Sequence, residues 1–288
     1  MRAKLLNKYE EVTYEKLKRA CEPNGAHVFP KVRVADTISL NGLDLSAHEF
    51  TYGLKCHFDF VVTDRDYFPL FSVEYDGRQH KVDGKQVQRD LVKNGICEKS
   101  NYPLLRINSR YLDREFRGLD LLTYFVDVWF LQEAFEDAQR NGAVPYDEPF
   151  DPAFIYSNGA DDGNRWPYWL SIDLQNCIQK LYEDRKVDQM VPSHWVGIDN
   201  RGDYRCLSWL ALPGDRAIYT TTGMRNQNFP VVVSDLLGMI GVFDVFETLK
   251  LYLSGQGTVA SRTELREKIA YFERTFEMRS ALSCGART

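Results

Sequence analysis

Paired cysteines are missing from this chain. Its six cysteines, Cys21, Cys56, Cys97, Cys177, Cys206 and Cys284, stand far apart with no CxxC spacing, so there is no zinc signature. The first residues, Met1-Arg2-Ala3-Lys4-Leu5-Leu6, lack the apolar stretch of a secretion signal. The cysteines therefore read as reduced thiols of a cytoplasmic protein. Long hydrophobic runs are missing too. The most apolar helix candidate, near Leu119 to Phe130, is interrupted by Asp127 and is too short to span a bilayer. There is no internal repeat and no low-complexity segment. Nor is there an excess of positive charge: the net charge of −5 argues against a protein that coats nucleic acid generally. It leaves room for Lys and Arg gathered in one groove where phosphates would lie.

The rest of the composition is that of an ordinary globular protein, with 44% hydrophobic and 27% charged residues. The 288 residues suffice for one large domain or two smaller ones.

The stretch from Cys56 to Ile107 carries the most information. His57-Phe58-Asp59-Phe60-Val61-Val62 and Leu70-Phe71-Ser72-Val73-Glu74-Tyr75-Asp76 read as two strands. Strand side chains alternate between faces. Phe58, Phe60 and Val62 are thus expected on one face, with Asp59 on the other. Phe71, Val73 and Tyr75 share a face, and Ser72, Glu74 and Asp76 share the opposite one. If the strands pair, Asp59, Glu74 and Asp76 converge. Carboxylates forced together raise one another's pKa. A bound divalent cation relieves that repulsion, and hard oxygen ligands suit Mg²⁺ or Mn²⁺. Asp76-Gly77 also reads as a plain turn after the strand.

Upstream, Leu5 to Ala20 reads as an amphipathic helix with Leu6, Tyr9, Thr13, Leu17 and Ala20 as its core stripe. Glu10 beside that stripe is either a solvated glutamate or an auxiliary carboxylate that binds metal or orients water. His27-Val28-Phe29 and Val32-Arg33-Val34 suggest a strand bent or bounded at Pro30. Asn41-Gly42 marks a turn, and Leu43 to Leu54 has no clear assignment.

Downstream, Lys85 to Lys99 reads as a helix. Gln86, Asp90 and Lys93 fall within one narrow arc, and Val87, Leu91, Val92 and Ile96 lie largely opposite. Gln88 among those apolar residues suggests a buried hydrogen-bonding group. Tyr102 to Ile107 is a short strand, and Leu119 to Gln139 a helix carrying Leu122, Phe125, Val126, Trp129 and Phe130. Residues 141–164 are rich in Gly, Pro, Asp and Asn, which places a boundary there between domains at 1–140 and 165–288.

The second half reads as an α+β unit. Its helices span Leu170 to Tyr182, Val231 to Leu253 and Glu264 to Met278. A hairpin joins Trp195–Ile198 to Tyr204–Leu212. Trp166, Trp169, Trp195, Trp209, Phe243 and Phe246 are core candidates, some of which could face a protein partner or a second copy of the chain.

The order helix, strand, strand, strand, helix, strand, with Asp59, Glu74-x-Asp76 and the polar helix that follows, resembles the PD-(D/E)XK nuclease superfamily. Glu74-Tyr75-Asp76-Gly77-x-x-His80, Arg89-Asp90 and Pro103-Leu104-Leu105-Arg106-Ile107 are similar to one bacterial branch of it. That branch comprises domain-of-unknown-function proteins related to very-short-patch-repair endonucleases. Leu5-Leu6 through Glu10 to Leu17, and Val32-Arg33-Val34-Ala35-Asp36, share that likeness, which covers roughly Leu5 to Arg110. Phe58 stands where the motif name has proline, and Asp76 stands where it has lysine.

The resemblance implies an α/β fold: a restriction-endonuclease-like mixed-sheet core (αβββαβ) with a C-terminal α+β extension. It implies a Mg²⁺- or Mn²⁺-dependent endonuclease that hydrolyses DNA phosphodiesters in the cytoplasm, in bacterial defence or repair. Asp59, Glu74 and a backbone carbonyl near Tyr75 would hold the metal. Lys93, as a migrated lysine, or His80 would assist the nucleophile, with Asp76 and Glu10 nearby. Arg78, Lys81, Lys85 and Arg89 would contact phosphates, which position a substrate without reading its sequence. The alternative is a catalytically inactive module of the same fold that binds nucleic acid or a protein partner. No membrane partner is expected.

Overall fold

The computed structural model describes residues 4–77, 84–154, 168–229 and 231–287, with Lys85, Gln86 and Phe154 described by backbone alone. The chain forms two compact units. One is Met1–Phe150 with Gln227–Val231; the other is Asp151–Asn226 with Val232–Thr288.

The first unit is mixed α/β. Helix α1 (Lys8–Cys21) starts three residues later than Leu5, the start its sequence suggests, because Asn7 and Glu10 form a capping box there. Strand β1 (His27–Arg33) continues through Pro30 and turns over at the next residue, Lys31. It tolerates the missing N–H because it is an edge strand, in the order β1-β2-β3-β4. A helical turn, α2 (Val34–Thr37), ends it at Val34. The unassigned stretch contains α3 (Ala47–Gly53), begun by a second capping box, Ser46 with Glu49.

Strands β2 (His57–Thr63) and β3 (Pro69–Tyr75) form an antiparallel hairpin, and β1 lies antiparallel to β2. Helix α4 (Gly84–Lys99) then crosses over to β4 (Leu104–Ile107), which lies parallel to β3. A short helix α5 (Ser109–Asp113) and the two-residue strands β5 (Glu115–Phe116) and β6 (Leu119–Asp120) follow. Asp120 is therefore not helical. It caps α6 (Leu121–Arg140) through Thr123 N–H.

Helices cover both faces of this four-stranded sheet. On one face Phe60 stacks on Tyr14 of α1, and Phe71 meets Trp129 of α6. On the other, Val92, Ile96 and Cys97 of α4 pack with Phe58, Val61 and Tyr102. Val87 and Leu91, expected with them, are exposed, and so is Gln88, expected to be buried. The buried side of α4 is narrower than its apolar content suggests.

A short segment from far along the chain completes the unit. Gln227 accepts the Arg106 backbone N–H at 3.0 Å and donates to the Arg106 carbonyl at 2.9 Å and to the Tyr111 hydroxyl. Leu104 N–H donates to the Asn228 carbonyl, and Asn228 Nδ2 to the Tyr102 carbonyl. Phe229 sits against Phe71, Phe125 and Trp129. The free edge of β4 is thereby covered.

The second unit begins with α7 (Ile172–Glu183) and continues through β7 (Ser193–Ile198), β8 (Tyr204–Leu212) and β9 (Arg216–Met224) to α8 (Val233–Leu253). Strand β10 (Ala260–Ser261), α9 (Arg262–Thr275) and β11 (Glu277–Leu282) end it. Its antiparallel sheet has the order β10-β9-β8-β7-β11. Alternation along β8 sends Leu210 and Leu212 toward α7 and α8, and Leu207 and Trp209 toward α9. Gly238 and Gly241 let α8 lie close to the sheet, since a Cβ at either would overlap His194 or Ser208. The last helix stops at Thr275 rather than Met278, and Met278 belongs to β11. Among the described residues, no helix is long and apolar enough to cross a membrane.

Candidate active site

The strand alternation expected across Phe58, Asp59 and Phe60 does not hold. Phe58 packs with α4, while Phe60 packs on α1 across the sheet. The reversal falls where β2 passes Lys31. The flanking pairs Pro30↔Phe60 and Val32↔Phe58 set Lys31 opposite Asp59. Lys31 has φ of 56°, in the left-handed region where a side chain costs energy. The two strands thus turn over together at this point.

Two carboxylates are anchored around that turnover. Asp59 Oδ2 accepts the Tyr75 N–H at 3.0 Å, which leaves Oδ1 at 2.6 Å from Lys31 Nζ. Glu10 Oε2 accepts the Asn7 N–H of the α1 capping box, which leaves Oε1 at 2.9 Å from the same Nζ. Burial alone would lower the Lys31 pKa, but its hydrogen bonds to Asp59 and Glu10 outweigh that and raise it.

Glu74 lies deeper. Its Oε1 accepts the Asp59 N–H at 3.2 Å and the Lys93 ammonium at 2.7 Å. Lys93 also donates to the His57 carbonyl and lies over the Phe58 ring. Burial pushes the Glu74 carboxyl above its ordinary value, against the pull of Lys93. This is a desolvated ion pair, strongly destabilising to break from one side.

Asp76 forms a separate group. Parallel pairing sets Arg106 beside Glu74 in register, but the guanidinium reaches past it. It binds Asp76 at 2.7 Å, Asp90 at 3.3 Å and Asn94 Oδ1 at 2.8 Å. Gln227 fixes the backbone of the same arginine.

The structure therefore brings together Glu10, Asp59, Glu74 and Lys93, with the Tyr75 backbone bound to Asp59. Asp76 stands one step away, on Arg106. His80, Arg78 and Lys81 lie outside the described residues, as does the Lys85 side chain; Arg89 is exposed on α4. The residues that sequence reasoning passed over are Lys31, Arg106, Asn94 and Gln227. Arg106 stood in a quoted motif, but only the parallel register with Glu74 reveals its role. Lys31 could have been found from an antiparallel alignment of β1 with β2.

Among the described residues, no three His, Cys, Asp or Glu side chains already form a metal-holding group. The donor chemistry nonetheless suits a hard divalent cation. Glu10 and Asp59 each have one oxygen tied to a backbone N–H, and each presents the other to a single cationic nitrogen.

Comparison with known proteins adds one likeness. Residues 2–118 match the model of a family described as "Protein of unknown function (DUF2726)". No curated protein and no solved structure matches the chain.

Proposed function

We propose that this protein is a metal-dependent endonuclease that hydrolyses phosphodiester bonds of DNA, built on a restriction-endonuclease-like core of the PD-(D/E)XK kind. The observation that carries the reading is that Glu74 accepts both the Lys93 ammonium and the Asp59 backbone N–H, beside an Asp59 carboxylate anchored on the Tyr75 N–H. The frame α1-β1-β2-β3-α4-β4, with α2 and α3 inserted between β1 and β2, supports it.

Asp59 and Glu74, with Glu10 alongside and a carbonyl near Tyr75, would hold Mg²⁺ or Mn²⁺. When bound, such an ion lowers the pKa of a water and offsets charge on the phosphate. Lys93 stands on Glu74 with its ammonium fixed by the His57 carbonyl, so it orients that carboxylate and supplies positive charge where Asp76 cannot. Asp76, held by Arg106, acts as a positioning residue for the end of β3. DNA would be held by basic residues around α4, among them Arg89.

A second reading, an inactive module that binds nucleic acid or a protein, is favoured by one observation. Lys31 and Lys93 already neutralise the two carboxylates a metal would need.

Incubating supercoiled plasmid and single-stranded DNA with Mg²⁺ or Mn²⁺ separates the readings. Wild type should nick or cut. Asp59→Asn should lower the rate by about a hundredfold or more while keeping its melting temperature. Unchanged cleavage by Asp59→Asn would remove this assignment, and DNA binding without cleavage by wild type would favour the inactive module.

A further inference from the structure

The geometry points to Lys31 as an internal cation that holds the Glu10–Asp59 carboxylate pair until a divalent ion displaces it. This rests on the reading of that pair as part of a metal centre. The carboxylates are the fixed partners. Each spends one oxygen on a backbone N–H, Asn7 for Glu10 and Tyr75 for Asp59, and turns the other toward the same point. The ammonium between them is the movable partner. It rides on a four-carbon stem with rotatable bonds. Its side chain is 34% exposed, against 12% for Glu10 and 19% for Asp59, so it is the most solvent-accessible of the three.

An entering ion gains the other two oxygens, Glu10 Oε1 and Asp59 Oδ1, only as Nζ withdraws. Metal affinity is therefore set by an exchange of one cation for another rather than by filling an open site. Lys31 weakens metal binding, and in the absence of metal it prevents repulsion between the two carboxylates. The left-handed backbone at Lys31 serves this arrangement, since it turns the strand over opposite Asp59. Such strain persists where the surrounding structure holds it, often at functional sites.

The test is calorimetric titration of Mn²⁺ into the full chain, without DNA, for wild type, Lys31→Met and Lys31→Arg. Methionine keeps the stem and the backbone requirement and removes only the charge; arginine keeps the charge. Lys31→Met should bind Mn²⁺ at least tenfold more tightly than wild type, and Lys31→Arg should stay within about threefold of wild type. Thermal melting in chelator checks the fold, and Glu10→Gln gives an independent arm: it removes the charge and one oxygen of the carboxylate that faces Lys31 and should weaken binding. If wild type binds Mn²⁺ and Lys31→Met binds no tighter, the exchange is overturned and the metal centre stands. If neither protein binds, and Asp59→Asn changes nothing, the metal reading itself fails and the exchange with it.

Discussion

Replacing Lys93 by methionine isolates the electrostatics of the buried pair. The two side chains are 9% and 8% exposed, and Nζ lies 2.7 Å from Glu74 Oε1. Methionine keeps most of the stem, so the packing against Phe58 changes little. What disappears is the charge, and Glu74 is left as a carboxylate in the interior. Removing one partner of a buried pair costs about 3–5 kcal/mol. For a unit of this size that lowers the melting temperature by roughly 6–20 °C.

The sign with pH follows from Glu74. Burial already raises its carboxyl above 4.5, and Lys93 is the largest opposing influence, so without Lys93 it rises further. A carboxyl with a raised pKa in the native state binds its proton more tightly there than in the unfolded chain. The stability linked to it is full below the ordinary carboxylate range and lost as pH rises through the native value. The deficit of Lys93→Met should thus be small in acid and widest at neutral pH and above. Glu74→Gln combined with Lys93→Met leaves no buried charge and should recover most of the loss. Urea unfolding of wild type, both single variants and the double variant from about pH 5 to pH 8, in chelator, measures this. A deficit constant across pH, or a double variant as unstable as the two singles summed, would refute the reasoning.

Three further variants test other contacts of the first unit. Gln227→Ala leaves the Arg106 N–H and carbonyl without their side-chain partner and should cost about 1–3 kcal/mol. Phe229→Ala, which empties the space between Phe71, Phe125 and Trp129, should cost about 3–5 kcal/mol in the same urea titration, and a cost near zero for both would deny the segment its place on β4. Ser46→Ala removes the α3 cap and should lower stability by about 1 kcal/mol, read as faster amide exchange in residues 47–53.

The hairpin of β2 and β3 and the crossover through α4 to β4 were legible because periodicity and turn residues agree there. Strand period also puts Glu74 on the α4 side, where Lys93 meets it. The same rule misplaces Phe58, because it assumes an unbroken strand and Lys31 reverses the faces. A single left-handed residue outside glycine leaves no compositional mark. The α3 helix was marked by Ser46-x-x-Glu49, a capping signature that went unread because the stretch around it has little apolar period. β9 carries Ile218 and Thr220 to Thr222, ordinary strand residues, and lies beyond the hairpin of β7 and β8. The role of Gln227 could not be seen, since it sits 121 residues from the arginine it holds. Local patterns carry no information about such a pairing.

The return of Gln227–Phe229 to β4 also sets a timetable. During synthesis, β4 is complete once Ile107 has been made, but the segment that covers its edge comes roughly 120 residues later. At about 5–20 residues per second the delay is on the order of 6–24 seconds. For that interval the Leu104 N–H has no chain partner at this edge, and Phe71 and Trp129 lack the ring of Phe229. The nascent first unit therefore passes through a period in which an unpaired strand lies beside open aromatic surface. That combination invites pairing with a neighbouring chain. The rate of translation between residues 107 and 229, and the chaperones present then, should govern yield more than the final stability does.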